Sequence, residues 1–267
     1  MRLDGPLAKR HNVHVVGEGP RLLLFSHGFG TAQTVWRKLV RGLPPEFSAV
    51  LFDLPGASPR LPRDFQLEDY RSIDSFARDL LDLMADLNIE RCEYVGHSLS
   101  GMVGLLAAKA APEKFERLVL LNASPRYIDD DGYAGAFSDA DIKGLVRSME
   151  TNYRAWVAGF APLAICAPLP EAVEDFSVDL LAMRPDVAAR MAQFIFTSDY
   201  RALLPEIQTP VRLIHSRSDI AVPESVAHYM SEHIPNSSLR WINALGHLPH
   251  ISAPEEVLEA LLASLGD

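Results

Sequence analysis

The amino-acid sequence predicts an α/β protein with a mostly parallel, doubly wound sheet and an inserted all-helical segment. Short apolar runs alternate with amphipathic segments up to Leu121, as expected for strands that helices cover on both faces. Only helical signals occur over residues 127–200, and strand and helix signals then resume. We therefore expect a core formed by residues 1–126 and 201–267, with a helical insertion at residues 127–200.

The part of the chain before the insertion supplies most of the predicted core. Its clearest helix covers residues 72–87, where Ile73, Phe76 and Leu80 recur at helical spacing. Ser72 suits the N-cap position of this helix. Strands are predicted at residues 12–16, 22–25, 50–52, 92–95 and 118–121, and further helices at residues 34–43 and 102–110. This alternation is typical of parallel strands joined by crossover helices.

The insertion and the last part of the chain complete the predicted fold. Helices are predicted at residues 142–149, 153–160, 173–183 and 187–196, with proline-containing breaks at residues 161–162 and 167–170. After the insertion, strands are predicted at residues 211–214 and 239–242, followed by a last helix at residues 254–265. These two strands are expected to extend the parallel sheet.

Composition restricts the classes of partner. The formal net charge of −10 argues against non-specific binding to nucleic acid or anionic membranes, which need basic surfaces. The two cysteines do not form a disulfide framework, and Cys92 is expected in the core. No stretch of about 18 apolar residues suggests a membrane span, and the N-terminus lacks the apolar run of a signal peptide. We expect a cytoplasmic protein.

The turn between the strand at residues 92–95 and its helix has the pattern of a nucleophile elbow. Ser98 is at its apex, and Gly96 and Gly101 allow the strand and the helix to pass close together. Ser100 replaces the second glycine of the usual G-x-S-x-G pattern, and its small side chain still suits the turn. Ser98 is therefore the candidate nucleophile.

A base and an orienting acid follow Ser98 in the chain. Asp219 lies just after a predicted strand, and His247 lies in a loop between the last predicted strand and the last helix. The order Ser, Asp, His is that of the catalytic triad in α/β-hydrolases. Because each residue follows a predicted parallel strand, we expect all of them at the carboxyl edge of the sheet.

The segment His27-Gly28-Phe29-Gly30 also follows a predicted strand. Its glycines would allow the backbone N–H of Phe29 to face a developing oxyanion. The N–H of Leu99, just after the candidate nucleophile, would be the second donor. His27 itself is expected to be structural.

Each of these motifs also has a simpler explanation. Small glycine–serine turns are common, one histidine is more often structural than catalytic, and Asp219 alone could be a turn or N-cap residue. His247 and His250 could form part of a metal site, and Gly28 to Gly30 could belong to a dinucleotide loop, although Gln33 occupies the third glycine's position. Their joint occurrence in this order favours a serine hydrolase without a metal or cofactor.

Several stretches resemble the small α/β-hydrolase family that contains plant strigolactone and karrikin receptors and the bacterial stress-signalling protein RsbQ. The matching stretches are residues 27–31, 123–127, 152–156, 159–164, 198–199, 219–223 and 246–250. They cover nearly the whole chain, and those within the insertion are the most specific because many families share the triad. The loop at residues 53–58 departs from the family, since it lacks an expected second glycine.

The resemblance implies a hydrolase core with a V-shaped cap, or lid, of four helices. It implies slow hydrolysis of a small apolar ester or butenolide lactone, in a signalling role in which the lid contacts a partner protein. It also implies a substrate pocket lined by Phe29, Phe137, Trp156, Phe160, Phe196 and Ser218. An aromatic stripe such as Tyr153, Trp156 and Phe160 is more often core packing, although the inner face of a lid is an exception.

The sequence leaves several functions open. The same residues would serve a ligand sensor whose main output is recruitment of a partner protein, or a general small-ester carboxylesterase. Carbon–carbon bond hydrolysis and cofactor-free peroxidation also occur on this fold. A scaffold without catalysis is disfavoured, because Ser98, Asp219 and His247 are all present.

Overall fold

The computed structural model describes residues 1–266 and contains a seven-stranded sheet. The strands are β1 (His14–Val16), β2 (Arg21–Ser26), β3 (Phe47–Phe52), β4 (Cys92–His97), β5 (Phe115–Leu121), β6 (Val211–Ser218) and β7 (Ser237–Leu245). Their order across the sheet is β1-β3-β2-β4-β5-β6-β7. Only the β1–β3 pair is antiparallel among the pairs in residues 1–266. The predicted α/β class with a mostly parallel sheet is confirmed.

Eleven α-helices accompany the sheet in the described part of the chain. They are α1 (Pro6–Arg10), α2 (Arg37–Val40), α3 (Ile73–Asp86), α4 (Leu99–Ala110), α5 (Asp139–Thr151), α6 (Tyr153–Ile165), α7 (Pro170–Ala182), α8 (Pro185–Thr197), α9 (Glu224–His233), α10 (Pro249–Ser252) and α11 (Pro254–Gly266). Short 3₁₀ helices occur at Gln33–Trp36, Leu67–Asp69, Pro112–Lys114 and Arg201–Glu206.

Both faces of the sheet are covered by buried side chains. Trp36, Leu39 and Leu261 from the segments around α2 and α11 pack on one face. Phe76 of α3 and Val103 of α4 belong to the larger cluster on the other face. Strands β3 and β4 are consequently buried along their whole length, which explains their continuous apolar character. This packing places the carboxyl ends of the parallel strands at one shared edge.

The four helices α5 to α8 lie between β5 and β6 in the chain. Where the chain enters and leaves this insertion, Arg126 forms an ion pair with Asp199 at 2.8 Å, and Arg201 forms one with Asp130 at 2.6 Å. The rings of Phe194 in α8 and Phe76 in α3 lie 6.2 Å apart. Apolar contacts therefore join the insertion directly to the core.

Some predicted elements differ in the structure. The helix predicted at residues 34–43 is a 3₁₀ turn at Gln33–Trp36 followed by the short α2. Ser72 precedes α3, but its hydroxyl donates to the carboxylate of Asp74 instead of capping the helix. Helix α6 continues past Pro162, where the prediction placed a break. Ala158 and Pro162 are both exposed, so water can bond to the carbonyl that proline leaves without a donor.

Other elements were missed or too short in the prediction. Helix α9 and the short helices α1 and α10 were not predicted, and β6 and β7 extend to Ser218 and Leu245. Seven of the nine β7 residues are at least partly exposed, because this strand is at the edge of the sheet. Among residues 1–266, no helix is long and apolar enough to cross a membrane.

Candidate active site

Ser98 occupies the tight turn between β4 and α4. Its backbone has φ 54° and ψ −119°, a conformation that costs energy for a residue with a Cβ. The turn leaves no room for side chains beside it, since a Cβ on Gly96 would lie 2.6 Å from the Ser100 carbonyl oxygen. A Cβ on Gly101 would lie 2.3 Å from the Cβ of Ala123. These contacts explain the glycines around the predicted elbow.

Ser100 has a structural role that the motif did not indicate. Its side chain is fully buried, and its hydroxyl donates to the backbone carbonyl of His27 at 2.5 Å. The same hydroxyl lies 2.8 Å from the hydroxyl of Ser26. The departure from G-x-S-x-G thus links the start of α4 to the end of β2.

The structure brings Ser98, His247 and Asp219 together in one hydrogen-bonded chain. His247 Nε2 lies 2.8 Å from Ser98 Oγ, and His247 Nδ1 lies 2.7 Å from Asp219 Oδ2. Because a carboxylate only accepts hydrogen bonds, Nδ1 carries the imidazole proton and Nε2 presents its lone pair to the serine hydroxyl. This is the geometry in which a histidine acts as a general base towards serine.

The carboxylate of Asp219 is held on its other side by the backbone. Its Oδ1 accepts hydrogen bonds from the N–H groups of Ala221 at 2.7 Å and Val222 at 3.1 Å. The Asp219 side chain is fully buried, and that of His247 is 12% exposed. A buried carboxylate with these donors is kept in position to orient the imidazole.

The backbone of His247 is bonded on both sides. Its N–H donates to the carbonyl of Ala164, near the end of α6 in the helical insertion, at 2.7 Å. Its carbonyl accepts a hydrogen bond from Nε2 of His97 at 2.7 Å. The candidate base is therefore attached both to the helical insertion and to the residue that precedes Ser98.

The segment from His27 to Gly30 lies against the candidate nucleophile. A Cβ on Gly28 would be only 3.3 Å from the Cβ of Ser98. Nε2 of His27 accepts from the N–H of Leu54 at 3.0 Å, so its Nδ1 donates to the Gly28 carbonyl at 2.8 Å. His27 thus holds this loop in place.

The two predicted oxyanion donors lie in segments next to Ser98. Phe29 follows Gly28 in the loop described above, and the next N–H, of Gly30, is bonded to the carbonyl of Ala57 at 2.9 Å. Leu99 is the first residue of α4, where a backbone N–H has no acceptor within the helix. The roles of Phe29 and Leu99 as donors to an oxyanion stay predictions.

Tyr127 lies beside Ser98, although no motif of the sequence indicates a role for it. Its side chain is buried, and its hydroxyl interacts with that of Ser98. Burial raises the pKa of Tyr127 to about 12, so the phenol stays protonated. Its position at the end of the matching stretch at residues 123–127 was the available signal, but only the fold shows that this segment passes Ser98.

The aromatic residues predicted for the pocket form two separate groups of ring contacts. Trp156 stacks on Phe160 with ring centroids 4.9 Å apart, and Tyr153 stacks on Trp156 at 5.5 Å. The predicted aromatic face of this helix is thereby confirmed. Phe196 contacts Phe137 at 6.0 Å. It also contacts Tyr127 at 5.0 Å, which places it near Ser98.

A groove of about 530 Å³ runs between α5 and α6. It is lined on one side by Leu145 and on the other by Trp156, Phe160 and Leu163. Phe29 packs against the main hydrophobic cluster, and Ser218 is the exposed last residue of β6. That all six predicted residues line one pocket stays a prediction.

Five histidines are buried, and we call them the buried histidines. They are His11, His27, His97, His215 and His250. Burial lowers the pKa of each, to about 4 for His215 and about 3 for His250. They are therefore uncharged at neutral pH, which leaves the carboxylate of Asp219 as the charge facing His247.

His250 packs between other rings instead of facing a metal-binding cavity with His247. Its ring lies 4.6 Å from that of Trp36 and 4.4 Å from that of His97. In the described residues, no group of three or more His, Cys, Asp or Glu side chains is placed to hold a metal ion. The spacing of the two histidines is explained by packing.

Comparison with known proteins identifies the family of this chain. Residues 21–254 match the family described as the alpha/beta hydrolase fold. The chain is 40% identical over 262 residues to a strigolactone esterase of Pisum sativum, covering 97% of this chain and 98% of that protein. It is 42% identical over 258 residues to the karrikin insensitive 2 receptor IA of Petunia hybrida, covering 96% and 94% of the two chains. A hydrolase structure from Oleispira antarctica, 29% identical, superposes with a TM-score of 0.94 and covers 98% of this chain and 97% of that chain.

Proposed function

Because this chain belongs to the α/β-hydrolase family, among its strigolactone- and karrikin-receptor-like members, we propose that it hydrolyses a small apolar ester or butenolide lactone through Ser98, His247 and Asp219. The chain is a serine hydrolase of the strigolactone-receptor type that acts on ester bonds. The observation that carries the assignment of residues is the continuous chain of hydrogen bonds from Ser98 Oγ through His247 to Asp219.

The proposed reaction has an acylation step and a deacylation step. His247 Nε2 takes the proton of Ser98 as Oγ attacks the ester carbonyl carbon, and Asp219 stabilises the imidazolium that forms. The N–H groups of Phe29 and Leu99 are the proposed donors to the oxyanion. Collapse of the tetrahedral intermediate releases the alcohol or enol, which takes the proton from His247. Water, activated by the same histidine, then hydrolyses the acyl–serine bond.

We propose that residues 127–200 act as a lid over the core formed by residues 1–126 and 201–267. The apolar groove between α5 and α6 is the proposed path of the ligand towards Ser98. Its stacked aromatic rings, Trp156 and Phe160, favour a flat apolar molecule over a charged one. Phe29, Phe137, Phe196 and Ser218 complete the proposed pocket.

A signalling role is the second candidate, and the bond from the His247 N–H to the Ala164 carbonyl favours it. This bond joins the proposed base to lid helix α6, so a change at the base is transmitted directly to the lid. A ligand shifts a lid between two arrangements only if it binds them with different free energies. A covalent adduct on Ser98 or His247 would supply such a difference, and a partner protein would then recognise the altered lid.

The assignment of the nucleophile is tested with Ser98→Ala. This variant should lose covalent labelling by a serine-reactive phosphonate together with nearly all hydrolysis. Turnover of a fluorogenic butenolide is compared with that of simple acyl esters at matched concentrations. Undiminished labelling of Ser98→Ala would refute the nucleophile, and fast ester turnover with poor butenolide binding would favour a general carboxylesterase.

A further inference from the structure

Asn122 is a buried polar residue at the end of β5 to which the proposed reaction gives no role. It is fully buried and has a backbone φ of +47°, in the left-handed region that favours glycine or asparagine. Its backbone N–H donates to the carbonyl of Ile214 at 3.0 Å, which ties this turn to β6. The backbone conformation aims the side chain away from β5 towards the next strand and its loop.

The side-chain amide of Asn122 makes hydrogen bonds to two other segments. Its Oδ1 accepts from the backbone N–H of Ser216 at 3.0 Å. Its Nδ2 lies 2.9 Å from the hydroxyl of Ser216, 3.1 Å from the carbonyl of Gly246 and 3.3 Å from the carbonyl of His247. Ser216 in turn donates to the carbonyl of Gly246 at 2.5 Å.

These bonds connect the strand of the acid to the loop of the base. Ser216 lies in β6, shortly before Asp219, while Gly246 and His247 follow β7. The N–H of Gly246 also donates to the carbonyl of Ser218 at 3.1 Å, so β6 holds the start of this loop directly. Asn122 adds contacts from a third strand, to Ser216 and Gly246, which are buried, and to the partly exposed His247.

The side chains of His97 and Asn122 both donate to the backbone carbonyl of His247. That carbonyl accepts from His97 Nε2 at 2.7 Å and from Asn122 Nδ2 at 3.3 Å, so two donors converge on one oxygen. A carbonyl accepts only, which assigns the proton of His97 to Nε2. The two donors approach from β4 and from β5, and together they restrict movement of the peptide that carries the imidazole.

We propose that Asn122 is a positioning residue that sets His247 at the right distance from Ser98 and Asp219. It touches no reacting atom and acts through the peptide of His247. The inference rests on the proposed function, since it presumes that His247 is the base. Displacement of a reacting group by about 1 Å can lower the rate by on the order of 10²-fold.

The test uses Asn122→Gly, which keeps the positive φ and removes every side-chain hydrogen bond. Asn88→Gly is the matched control, because Asn88 also has a positive φ of 55° but is exposed and remote from the site. With p-nitrophenyl acetate, we expect kcat of Asn122→Gly to fall by about 10²-fold while KM changes by less than about threefold. The control should match the unmodified protein. Rates are expressed per serine titrated with the phosphonate.

A proton NMR signal separates positioning from a general loss of structure. The Nδ1 proton that His247 shares with Asp219 should shift or broaden in the folded fraction of Asn122→Gly. In the unmodified protein, the Asn122 side-chain amide signals should shift when the phosphonate occupies Ser98, a measurement that needs no variant.

Several results would overturn the proposal. The first is a kcat of Asn122→Gly within about twofold of the unmodified protein. The second is a loss of activity that only follows the unfolded fraction, with an unchanged His247 signal. The third is that the Asn122 amide signals of the unmodified protein do not shift when the phosphonate occupies Ser98. Activity retained by Ser98→Ala would instead refute the proposed function itself, so the two failures are distinguishable.

Discussion

Replacing Asp219 with asparagine changes one atom of the carboxylate, and the surrounding hydrogen bonds decide how the new amide turns. The oxygen Oδ1 accepts from the N–H groups of Ala221 and Val222, while Oδ2 faces His247 Nδ1. If the amide nitrogen faced the two backbone N–H groups, these buried donors would lose their acceptor, at about 1–3 kcal/mol each. The amide oxygen therefore stays with the backbone, and the NH₂ group faces His247.

This orientation reverses the protonation of the imidazole. An NH₂ group needs an acceptor, so His247 Nδ1 must present its lone pair and the proton moves to Nε2. Nε2 then faces Ser98 Oγ with a proton and cannot take the one from the hydroxyl. We expect Asp219→Asn to lower kcat by about 10⁴-fold, as in the serine-protease template, equivalent to about 5.5 kcal/mol in the activation barrier.

The assay compares hydrolysis of p-nitrophenyl acetate and of a fluorogenic butenolide by Asp219→Asn and by Asp131→Asn. The control residue is an exposed acid in the loop before α5, so its substitution should leave kcat unchanged. A decrease of less than about tenfold in Asp219→Asn would refute the reasoning and indicate that another carboxylate orients the base.

Further predictions concern the lid, the response to pH and the elbow. A slowly hydrolysed butenolide should change hydrogen exchange in the lid, and Trp156→Ala should weaken this response; turnover with unchanged exchange would leave a plain hydrolase. The buried histidines are neutral in the fold, because their pKa values are lowered from 6.5, so their stabilisation is full above about pH 6.5 and is lost as the pH falls. Burial raises the pKa of Asp179 to about 6, so below that pH the folded protein holds a proton on this carboxyl. This proton partly offsets the loss of stability caused by the histidines. The free energy of unfolding in urea should therefore fall as the pH drops below 6.5, by about 1.4 kcal/mol per pH unit for each proton that the unfolded state binds in excess, and equal values at pH 7.5 and 5.0 would contradict this. Ser100→Ala removes a buried donor from the His27 carbonyl and should destabilise the fold by about 1–3 kcal/mol; unchanged urea unfolding would show that this bond contributes little.

Local patterns were reliable where one face of an element is apolar over several turns. The helix predicted at residues 72–87 is α3, Ile73–Asp86, whose apolar positions pack on the sheet. Prediction was poorer where the local signal is weak. Helix α9 lacks a strong apolar stripe, since only Val226, Ala227 and Met230 of its residues are buried. The segment at residues 34–43 has helical spacing but tightens into a 3₁₀ turn, because Trp36 must reach the core.

The candidate triad could be predicted because each member follows a strand of a parallel sheet, and such strands end at one edge whatever their order. The order itself, which brings β6 and β7 beside β5 and β4, was not visible in the sequence. Side chains that bond across those strands therefore escaped prediction. Asn122 contacts a loop 124 residues away, and Tyr127 reaches Ser98 only because the chain folds back over the elbow.

The sequence by itself determined the class of fold, the elbow around Ser98 and the identity of the residues that complete its hydrogen-bonded chain, because these depend on local periodicity and on strand ends. Only the tertiary structure decided which groups hold Ser98, His247 and Asp219 in position. The bonds from Ala164, His97 and Asn122 to the His247 loop join segments far apart in sequence. Their formation depends on strand order and packing, which no local pattern encodes.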